Sequence, residues 1–384
     1  MPPRPRIALI VETSIAYGRR ILRGLAQYRR THRPWSVFLE QREIGAAPPA
    51  WLEAWQGGGI IIRSTNAALA SRLRESGIPT VDLNDRYGSL GLPHIASDDL
   101  AIGRLGAAHL AERGFKNFAF CGFSDQLWST DRLEGFRQAL AESGHSPVVY
   151  QSRWMGSRVL SWEEEQTALA AWLRSLPGPI GVMACNDMRA QHVLDACAQC
   201  NLAVPEEIAV LGVDNDEVLC EQCEPPLSSI EPDPERIGYE AGELLDRLMA
   251  GEDVGCVERR IGPRTIVARQ STDVLAIDDA SVAEALRWIR EHACDGLEVK
   301  DLVRSMRVSR SLLERRFRKY LGRSPQQEIR RIQVNRAKEL LAQSDLPLEQ
   351  IAELSGFKGA PYLSVVFKRE TGQTPGQFRR SVAR

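Results

Sequence analysis

Long apolar runs are missing from this sequence. No stretch approaches the ~20 consecutive apolar residues that a membrane span needs. The opening Met-Pro-Pro-Arg-Pro-Arg leads into Ile7 to Val11, an apolar run too short for a secretory signal and followed at once by Glu12. A cytoplasmic protein is expected. Catalytic signatures are missing too: there is no Gly-x-Ser-x-Gly elbow, no Gly-x4-Gly-Lys-Ser/Thr phosphate loop and no His-Glu-x-x-His. Gly57-Gly58-Gly59 precedes an apolar run instead of following one, so it is no dinucleotide fingerprint. No catalytic residue is expected, and no enzyme. Cysteine is sparse, eight in 384 residues. Cys197-x-x-Cys200 and Cys220-x-x-Cys223 have the outline of a four-cysteine zinc site. The first pair, however, ends a predicted helix, and the second lies beyond a predicted strand over 208–213, which at ~3.3 Å per residue spans ~20 Å. The pairs are expected at opposite ends of that strand as reduced thiols, with no metal and no cofactor.

Net charge is also nearly absent, at -1, until it is divided. Leu275 to Arg384 holds 21 Lys+Arg against 14 Asp+Glu, a surplus of +7, which leaves -8 on Met1 to Val274. A basic module joined to an acidic one suits a nucleic-acid reader under separate control. The length fits two or three domains.

From Arg6 to about Arg269 short apolar runs alternate with helical patterns. Strands are predicted at Ile7 to Val11, Val37 to Glu40, Gly59 to Ile62, Pro79 to Leu83, Asn117 to Cys121, Val148 to Gln151, Ile180 to Ala184 and Ile208 to Val213. Helices fall between them, among them Gly18 to Arg30, Leu100 to Arg113, Arg132 to Ser143 and Asp187 to Cys200. Such alternation builds parallel sheets with helices on both faces, and nearly 270 residues suit two sheets with a cleft between them better than one. Ligands of doubly wound sheets bind at the carboxyl ends of strands. Polar residues predicted at those ends are Tyr17, Asp98, Asn186, Asp187, Asp214 and Asn215, with Trp128 and Arg132 flanking the loop after Gly122. Paired donors and acceptors of these types suit sugar hydroxyls, and an indole face suits the apolar side of a pyranose. Each Asp or Asn here is equally placed to be a helix N-cap.

The last ninety or so residues contain a duplicated pattern: a short helix, a tight turn and a second amphipathic helix. The first copy runs from Asp301 to Ser309 and on from Arg310 to Lys319; the second begins at Ile351. This is the layout of a helix-turn-helix, whose second helix enters the major groove. In the first copy Leu312, Leu313 and Phe317 face the core with Val303 and Val308 opposite, so Arg310, Ser311, Glu314, Arg315 and Arg318 face DNA. Arg315 is suited to guanine and Arg318 to phosphate. In the second copy Gly356 supplies the turn, Phe357 plugs the core, and Leu363, Val366 and Phe367 pack inwards. Its outward edge is Lys358, Gly359, Ala360, Tyr362, Ser364 and Lys368, poorer in long hydrogen-bonding side chains than the first. Between the copies, Pro325 to Gln343 reads as one helix, ~28 Å long at 1.5 Å per residue, which suits two recognition helices placed about one DNA turn apart.

Two resemblances cover the chain. Ile95-Ala96-Ser97-Asp98-Asp99-x3-Gly103, Arg132-Leu133-x-Gly135-Phe136, Asn186-Asp187 and Val204-Pro205-Glu206-Glu207 to Asp214-Asn215 resemble, in order, the periplasmic-binding-protein-like effector domain of LacI/GalR-type regulators. That resemblance implies that Arg132 and Asp214 contact a sugar. In that family a DNA-binding headpiece precedes the first strand; here five residues do. Residues 282–380, with Ala337-x-x-Leu340-Leu341, Ile351-Ala352 to Gly356-Phe357 and Phe367-Lys368-x3-Gly372-x2-Pro375-x2-Phe378-Arg379, resemble the AraC/XylS DNA-binding domain. Arg307 departs from it, standing where that family has a turn-tolerant residue; if the position needs positive φ, arginine costs ~1 kcal/mol. A sensor in front of a reader is an uncommon order, and it resembles the xylose-operon regulators. The fold class implied is an α/β two-lobed periplasmic-binding-protein-like (type I) sensor over residues 1–270, a linker at 271–281, and an all-α domain with two helix-turn-helix units over 282–384. The function implied is a homodimeric, nucleoid-associated transcription activator with a monosaccharide effector, D-xylose, double-stranded DNA and RNA polymerase as partners. A repressor released by its sugar, or a regulator for another monosaccharide, has the same sequence features.

Overall fold

The computed structural model describes residues 4–32, 34–43, 46–155, 159–255, 257–273 and 279–382. The chain divides into two compact units, Met1–Val274 and Leu275–Arg384. No described helix is long and apolar enough to cross a membrane.

The first unit is built on two six-stranded sheets. Its strands are β1 (Arg6–Ile10), β2 (Ser36–Leu39), β3 (Gly59–Ile62), β4 (Thr80–Asp82), β5 (His94–Ser97), β6 (Asn117–Phe123), β7 (Val148–Ser152), β8 (Ile180–Ala184), β9 (Ile208–Val213), β10 (Ser228–Glu231), β11 (Glu258–Ile261) and β12 (Thr265–Val267). Its helices are α1 (Ala16–Thr31), α2 (Ala67–Ser76), α3 (Asp99–Glu112), α4 (Leu127–Ala141), α5 (Trp162–Arg174), α6 (Asp187–Gln199), α7 (Glu217–Gln222) and α8 (Pro234–Met249). The first lobe orders its strands β11-β5-β4-β3-β1-β2, the second β12-β10-β9-β8-β6-β7. All pairings are parallel except β10 with β12. The chain thus changes lobe three times, after β5, after β10 and after β11. Inner strands such as Gly59–Ile62 and Ile208–Val213 are buried at every residue, as strands covered on both faces must be.

The glycines of the sensor motifs set how its helices cross. A Cβ at Gly103 would lie 2.0 Å from the Arg132 carbonyl oxygen, and one at Gly135 would lie 2.0 Å from that of Leu100. The α3 and α4 backbones therefore touch at two reciprocal points. Gly24 and Gly238 do the same for α1 and α8 in the other lobe, against the carbonyls of Glu235 and Ile21.

Several expected boundaries move. The helix expected from Arg132 begins at Leu127, so Trp128 stands on α4 together with Arg132 instead of before the helix. The segment expected as a linker from 271 is part of the sensor at its start: Ser271 Oγ donates to the Val210 carbonyl at 2.6 Å and accepts from Ser228 N at 2.8 Å. At its other end Asp279 already caps the next helix through Ser281 N and Val282 N; residues 274–278 lie outside the described residues. The two cysteine pairs sit at different ends of α6. Cys220 Sγ reaches Asp187 Oδ2 (3.4 Å) at the helix start, and Cys200 Sγ reaches the Ala170 carbonyl (3.7 Å) at its end. Both pairs are free thiols.

The second unit holds α9 (Ala280–His292), α10 (Val299–Met306), α11 (Arg310–Leu321), α12 (Pro325–Gln343), α13 (Leu348–Leu354), α14 (Ala360–Thr371) and α15 (Pro375–Val382). The linking helix α12 starts on a capping box between Ser324 and Gln327 with Pro325 in its first turn, which satisfies the N–H groups of Ser324 and Gln327. Leu363, Val366 and Phe367 pack with Ile351, Ala352 and Phe357 against Val334, Ala337 and Leu341 of α12. In the first copy Leu313, Phe317 and Leu321 form the buried stripe of α11, and α10 buries Val299 and Leu302. The expected Leu312, Val303 and Val308 are only half-buried.

Candidate functional site

A cavity of about 210 Å³ lies between the two lobes of the first unit. Tyr17, Arg63, Asp85 and Arg86 line it from the first lobe; Trp128, Arg132, Trp154, Asn186, Asp187 and Asp214 line it from the second. Drug-sized ligands occupy about 300–1,000 Å³, so this cavity suits one smaller polar molecule.

Arg132 is its best-anchored group. The α3–α4 contact places Asp99 beneath it, and Nε donates to Asp99 Oδ1 at 2.8 Å while Nη1 donates to the Cys185 carbonyl at 2.5 Å. Nη2 stands 3.7 Å from Asp214 Oδ1, and the guanidinium carbon lies 5.0 Å from the Trp128 ring centre. Burial works against the arginine's charge, but Asp99 and Asp214 more than offset it and its pKa rises. Burial pushes the Asp99 carboxyl up to about 7 in spite of Arg132. Asp214 is likewise raised, by burial first, against the pull of Arg132 and Arg63.

The facing wall is Arg63, paired with Glu12 and Asp85 and 4.9 Å from the Tyr17 ring centre. The Tyr17 hydroxyl shares a 2.7 Å hydrogen bond with Ser97 Oγ, and burial keeps it protonated. A buried network shapes the loop that carries Asp85 and Arg86. Asp82 accepts from Thr65 Oγ1 (2.7 Å) and Asn84 Nδ2 (2.5 Å), and His94 Nε2 donates to the Asn84 carbonyl at 2.7 Å. Across the cleft, Trp154 stacks on Phe123 (5.4 Å, 16°), stands perpendicular to Trp128 (5.6 Å) and meets the Arg86 guanidinium at 5.9 Å. Asp125 holds the Trp154 loop by accepting from Trp154 N at 2.8 Å and Met155 N at 3.0 Å.

Of the eight sensor residues singled out in the sequence, the cavity gathers Tyr17, Trp128, Arg132, Asn186, Asp187 and Asp214. Two are corrected. Asp98 caps α3, accepting from Ala101 N at 2.9 Å, and does not line the cavity. Asn215 points away: its Oδ1 accepts from Arg269 Nη2 at 3.0 Å. It is held there on both sides, since its backbone N also donates to Ser229 Oγ at 3.0 Å; Asp214 and Asn215 both have positive φ, 111° and 47°. Asp187 lines the cavity, but its carboxylate is occupied by Ser229 Oγ (2.5 Å), Asp216 N (2.8 Å) and Cys220 Sγ. Asn186 Oδ1 caps α6 at Arg189 N, 2.9 Å, so its amide nitrogen is the group left for a ligand. Missed were Arg63, Asp85, Arg86 and Trp154. Each directly follows a strand or its loop, which is the signal that would have found them.

In the second unit Arg310, Ser311, Arg315 and Arg318 are exposed on α11, and Arg310 Nε donates to Glu314 Oε1 at 3.0 Å. Ser309 caps the helix at Leu312 N. On the second copy Lys358, Tyr362 and Lys368 are exposed, Ser364 and Gly359 are half-exposed, and Lys358 Nζ stands 3.1 Å from Glu298 Oε1. Ala360 is a correction: it is buried, because the first turn of α14 packs inwards there. Arg307 does adopt positive φ, 52°, closing α10.

Such an arrangement, a two-lobed periplasmic-binding-protein-like sensor followed by an AraC-type double helix-turn-helix, defines a class of ligand-responsive transcription regulator. Family profiles agree along the chain: "XylR N-terminal domain" matches residues 6–98, "Periplasmic binding protein-like domain" 107–272 and "Helix-turn-helix domain" 302–381. The Xylose operon regulatory protein of Haemophilus influenzae is 33% identical over 97% of this chain and 98% of its own length. That of Escherichia coli K12 is 31% identical over 98% and 97%. A solved "xylose-binding transcription activator" superposes with a TM-score of 0.83 at 30% identity, covering 99% of each chain. The chain belongs to the xylose operon regulatory proteins.

Proposed function

We propose that the protein is a D-xylose-responsive transcription activator and that the cavity between its lobes is the pentose site. One observation carries this reading: Arg132 and Asp214, the pair marked by the sensor motifs, stand 3.7 Å apart in a small cavity closed on its far side by Arg63 and Asp85. Alternating donors and acceptors on both walls match a ring of hydroxyls, and the indoles of Trp128 and Trp154 match its C–H surfaces. Sugar bound to both lobes favours their closed arrangement by its differential affinity for it. Closure changes the geometry of a homodimer, so that both helix-turn-helix units of each chain engage adjacent half-sites and the complex recruits RNA polymerase. The α11 residues Arg315 and Glu314 read bases, and Arg318 and Lys368 meet phosphates. The protein catalyses no reaction, uses no cofactor or metal, and works in the cytoplasm on the nucleoid.

A thermal-shift panel of D-xylose, L-arabinose and D-ribose tests the ligand. At a hundred times its Kd, a sugar stabilises the sensor by about 2.7 kcal/mol, a shift of roughly 5–10 °C for a unit of this size. Asp214→Asn, which tolerates the same backbone conformation, is expected to abolish the shift and the sugar-dependent change in promoter affinity while leaving sugar-free DNA binding intact. A full response from that variant removes Asp214 from the site.

A further inference from the structure

The DNA-facing edge of the second helix-turn-helix is short of free cations. Lys358 is engaged by Glu298, Ala360 is buried and Gly359 has no side chain. A cation comes instead from outside the unit. Arg330, on the linking helix α12, projects to the first turn of α14. Its Nη2 lies 3.1 Å from the Tyr362 hydroxyl, and its guanidinium carbon lies 5.0 Å from the Tyr362 ring centre and 5.5 Å from that of Phe357. Nη1 donates to Gln333 Oε1 at 2.7 Å. Gln333 is itself 1% exposed and fixed through Nε2 to the carbonyls of Ala293 (2.6 Å) and Gly356 (3.0 Å). The guanidinium is therefore held in one place by a buried residue and an aromatic pair. It is also electrically unspent. Arg323 and Arg331 share Glu328, and Arg336 has Glu339; among the described residues no carboxylate stands within ion-pair distance of Arg330.

Tyr362 is 45% exposed on the opening turn of the recognition helix, the part of such a helix that meets DNA. We propose that Arg330 is a DNA-phosphate contact of the second unit, delivered by the linking helix and aimed by Gln333 and Tyr362. This rests on the DNA-binding reading of the two units. Fixed donors on a preorganised fork give a guanidinium its strongest hold on phosphate, and the contact carries no sequence information.

The test is salt dependence on random-sequence duplex DNA with the full-length chain. Each phosphate contact contributes about 0.9 to the slope of log K against log salt. Arg330→Gln is expected to reduce the slope by about that amount between about 50 and 200 mM salt. Arg330→Lys, which keeps the charge, is expected to restore it. Tyr362→Phe is expected to leave the slope unchanged, because it removes no charge. Far-UV circular dichroism and the melting temperature confirm that each variant is folded. An Arg330→Gln variant that binds more weakly at an unchanged slope makes Arg330 a packing residue and overturns the proposal, as does one that binds with wild-type affinity and slope. A wild-type chain with no salt-dependent DNA affinity at all would instead sink the DNA-binding reading beneath it.

Discussion

Replacing Gly356 with alanine puts a number on how the reader is held together. Two costs are built into the site. The residue has φ of 72°, a left-handed conformation that costs an L side chain about 1–2 kcal/mol. In addition, a Cβ there would lie 2.5 Å from the Ala293 carbonyl oxygen and 2.8 Å from two Cys294 backbone atoms. Those are backbone contacts, so the turn must move. The Gln333 side chain bridges both moving parts, the Ala293 and Gly356 carbonyls. A buried hydrogen bond left unmade costs about 1–3 kcal/mol, so Gly356→Ala is expected to cost about 2–5 kcal/mol in total. A domain held by about 5–15 kcal/mol survives that with its α13–α14 region loosened.

Gly372 supplies the control. Its φ is 76°, but nothing lies within 4 Å of the Cβ position, so Gly372→Ala bears only the conformational cost. Hydrogen exchange on the full chain, read at the amides of α13 and α14, gives the opening free energy for each variant. The expectation is that Gly356→Ala opens these amides more easily than Gly372→Ala by at least about 1 kcal/mol, the cost of one lost buried hydrogen bond. It should also weaken DNA binding more, because the displaced turn carries the recognition helix. Equal opening energies for the two variants would refute the claim that backbone contact through Gly356 joins the second helix-turn-helix to the segment after α9.

Other outcomes follow from the same geometry. Arg307→Gly relieves an arginine at φ 52° and is expected to raise the reader's stability by about 0.5–1 kcal/mol; denaturant unfolding of the variant checks it, and a loss would mean that the side chain has an unseen role. Arg269 does not line the cavity, yet it holds Asn215 Oδ1 (3.0 Å) and the Leu227 carbonyl (2.9 Å). Arg269→Gln is therefore expected to weaken pentose binding about tenfold (1.4 kcal/mol) by freeing the Asp214 loop, and calorimetry showing unchanged affinity would dismiss that support. His109 is held near a pKa of about 3 by burial and by Arg113, while its Nε2 bonds Thr272 Oγ1 at 3.0 Å. The unfolded chain then binds the extra proton below pH ~6.5, so the stability the neutral ring contributes is complete above that value. It is lost as pH falls toward 3, at up to ~1.4 kcal/mol per pH unit. His109→Gln, which keeps a donor without titrating, is expected to flatten that slope in pH-dependent melting of the sensor; an unaltered slope assigns it to other groups.

The sequence made the inner strands and the reader most legible, because there one physical signal dominates. Gly59–Ile62, Ile180–Ala184 and Ile208–Val213 are continuous apolar runs, and the observed strands have the expected ends. Pro325–Gln343 begins on a capping serine and proline and is observed at its full expected length. The two late edge strands were illegible for the opposite reason, although the other two edges, Ser36–Leu39 and Val148–Ser152, were expected within a residue or so. Glu258–Ile261 is mostly polar, and Thr265–Val267 is three residues long; both exist because a neighbour accepts them. In the cavity, position along the chain was readable and direction was not. Asp214 and Asn215 are adjacent, yet one faces the ligand space and the other faces Arg269, a partner 54 residues further along the chain that no local spacing rule encodes. Arg63 and Asp85 were overlooked although the strand-end rule covers them both.

The pairing of charges in the cavity bears on what it takes. Arg63 is matched by Glu12 and Asp85, and Arg132 by Asp99 and Asp214. At Arg63 and Arg132 an anionic effector would have to compete with a carboxylate, and at their partners a cationic one would have to compete with a guanidinium; Arg86, which also lines the cavity, stands against the Trp154 ring instead. Either competition leaves a buried charge without its partner, a change that costs about 3–5 kcal/mol when such a pair is broken. A neutral polyol avoids that loss, because hydroxyls insert between the partners as donor and acceptor at once and leave the net charge of the walls unaltered. The two paired guanidiniums are thus expected to favour an uncharged, hydroxyl-rich molecule, and the small volume and the two indoles suit a pyranose.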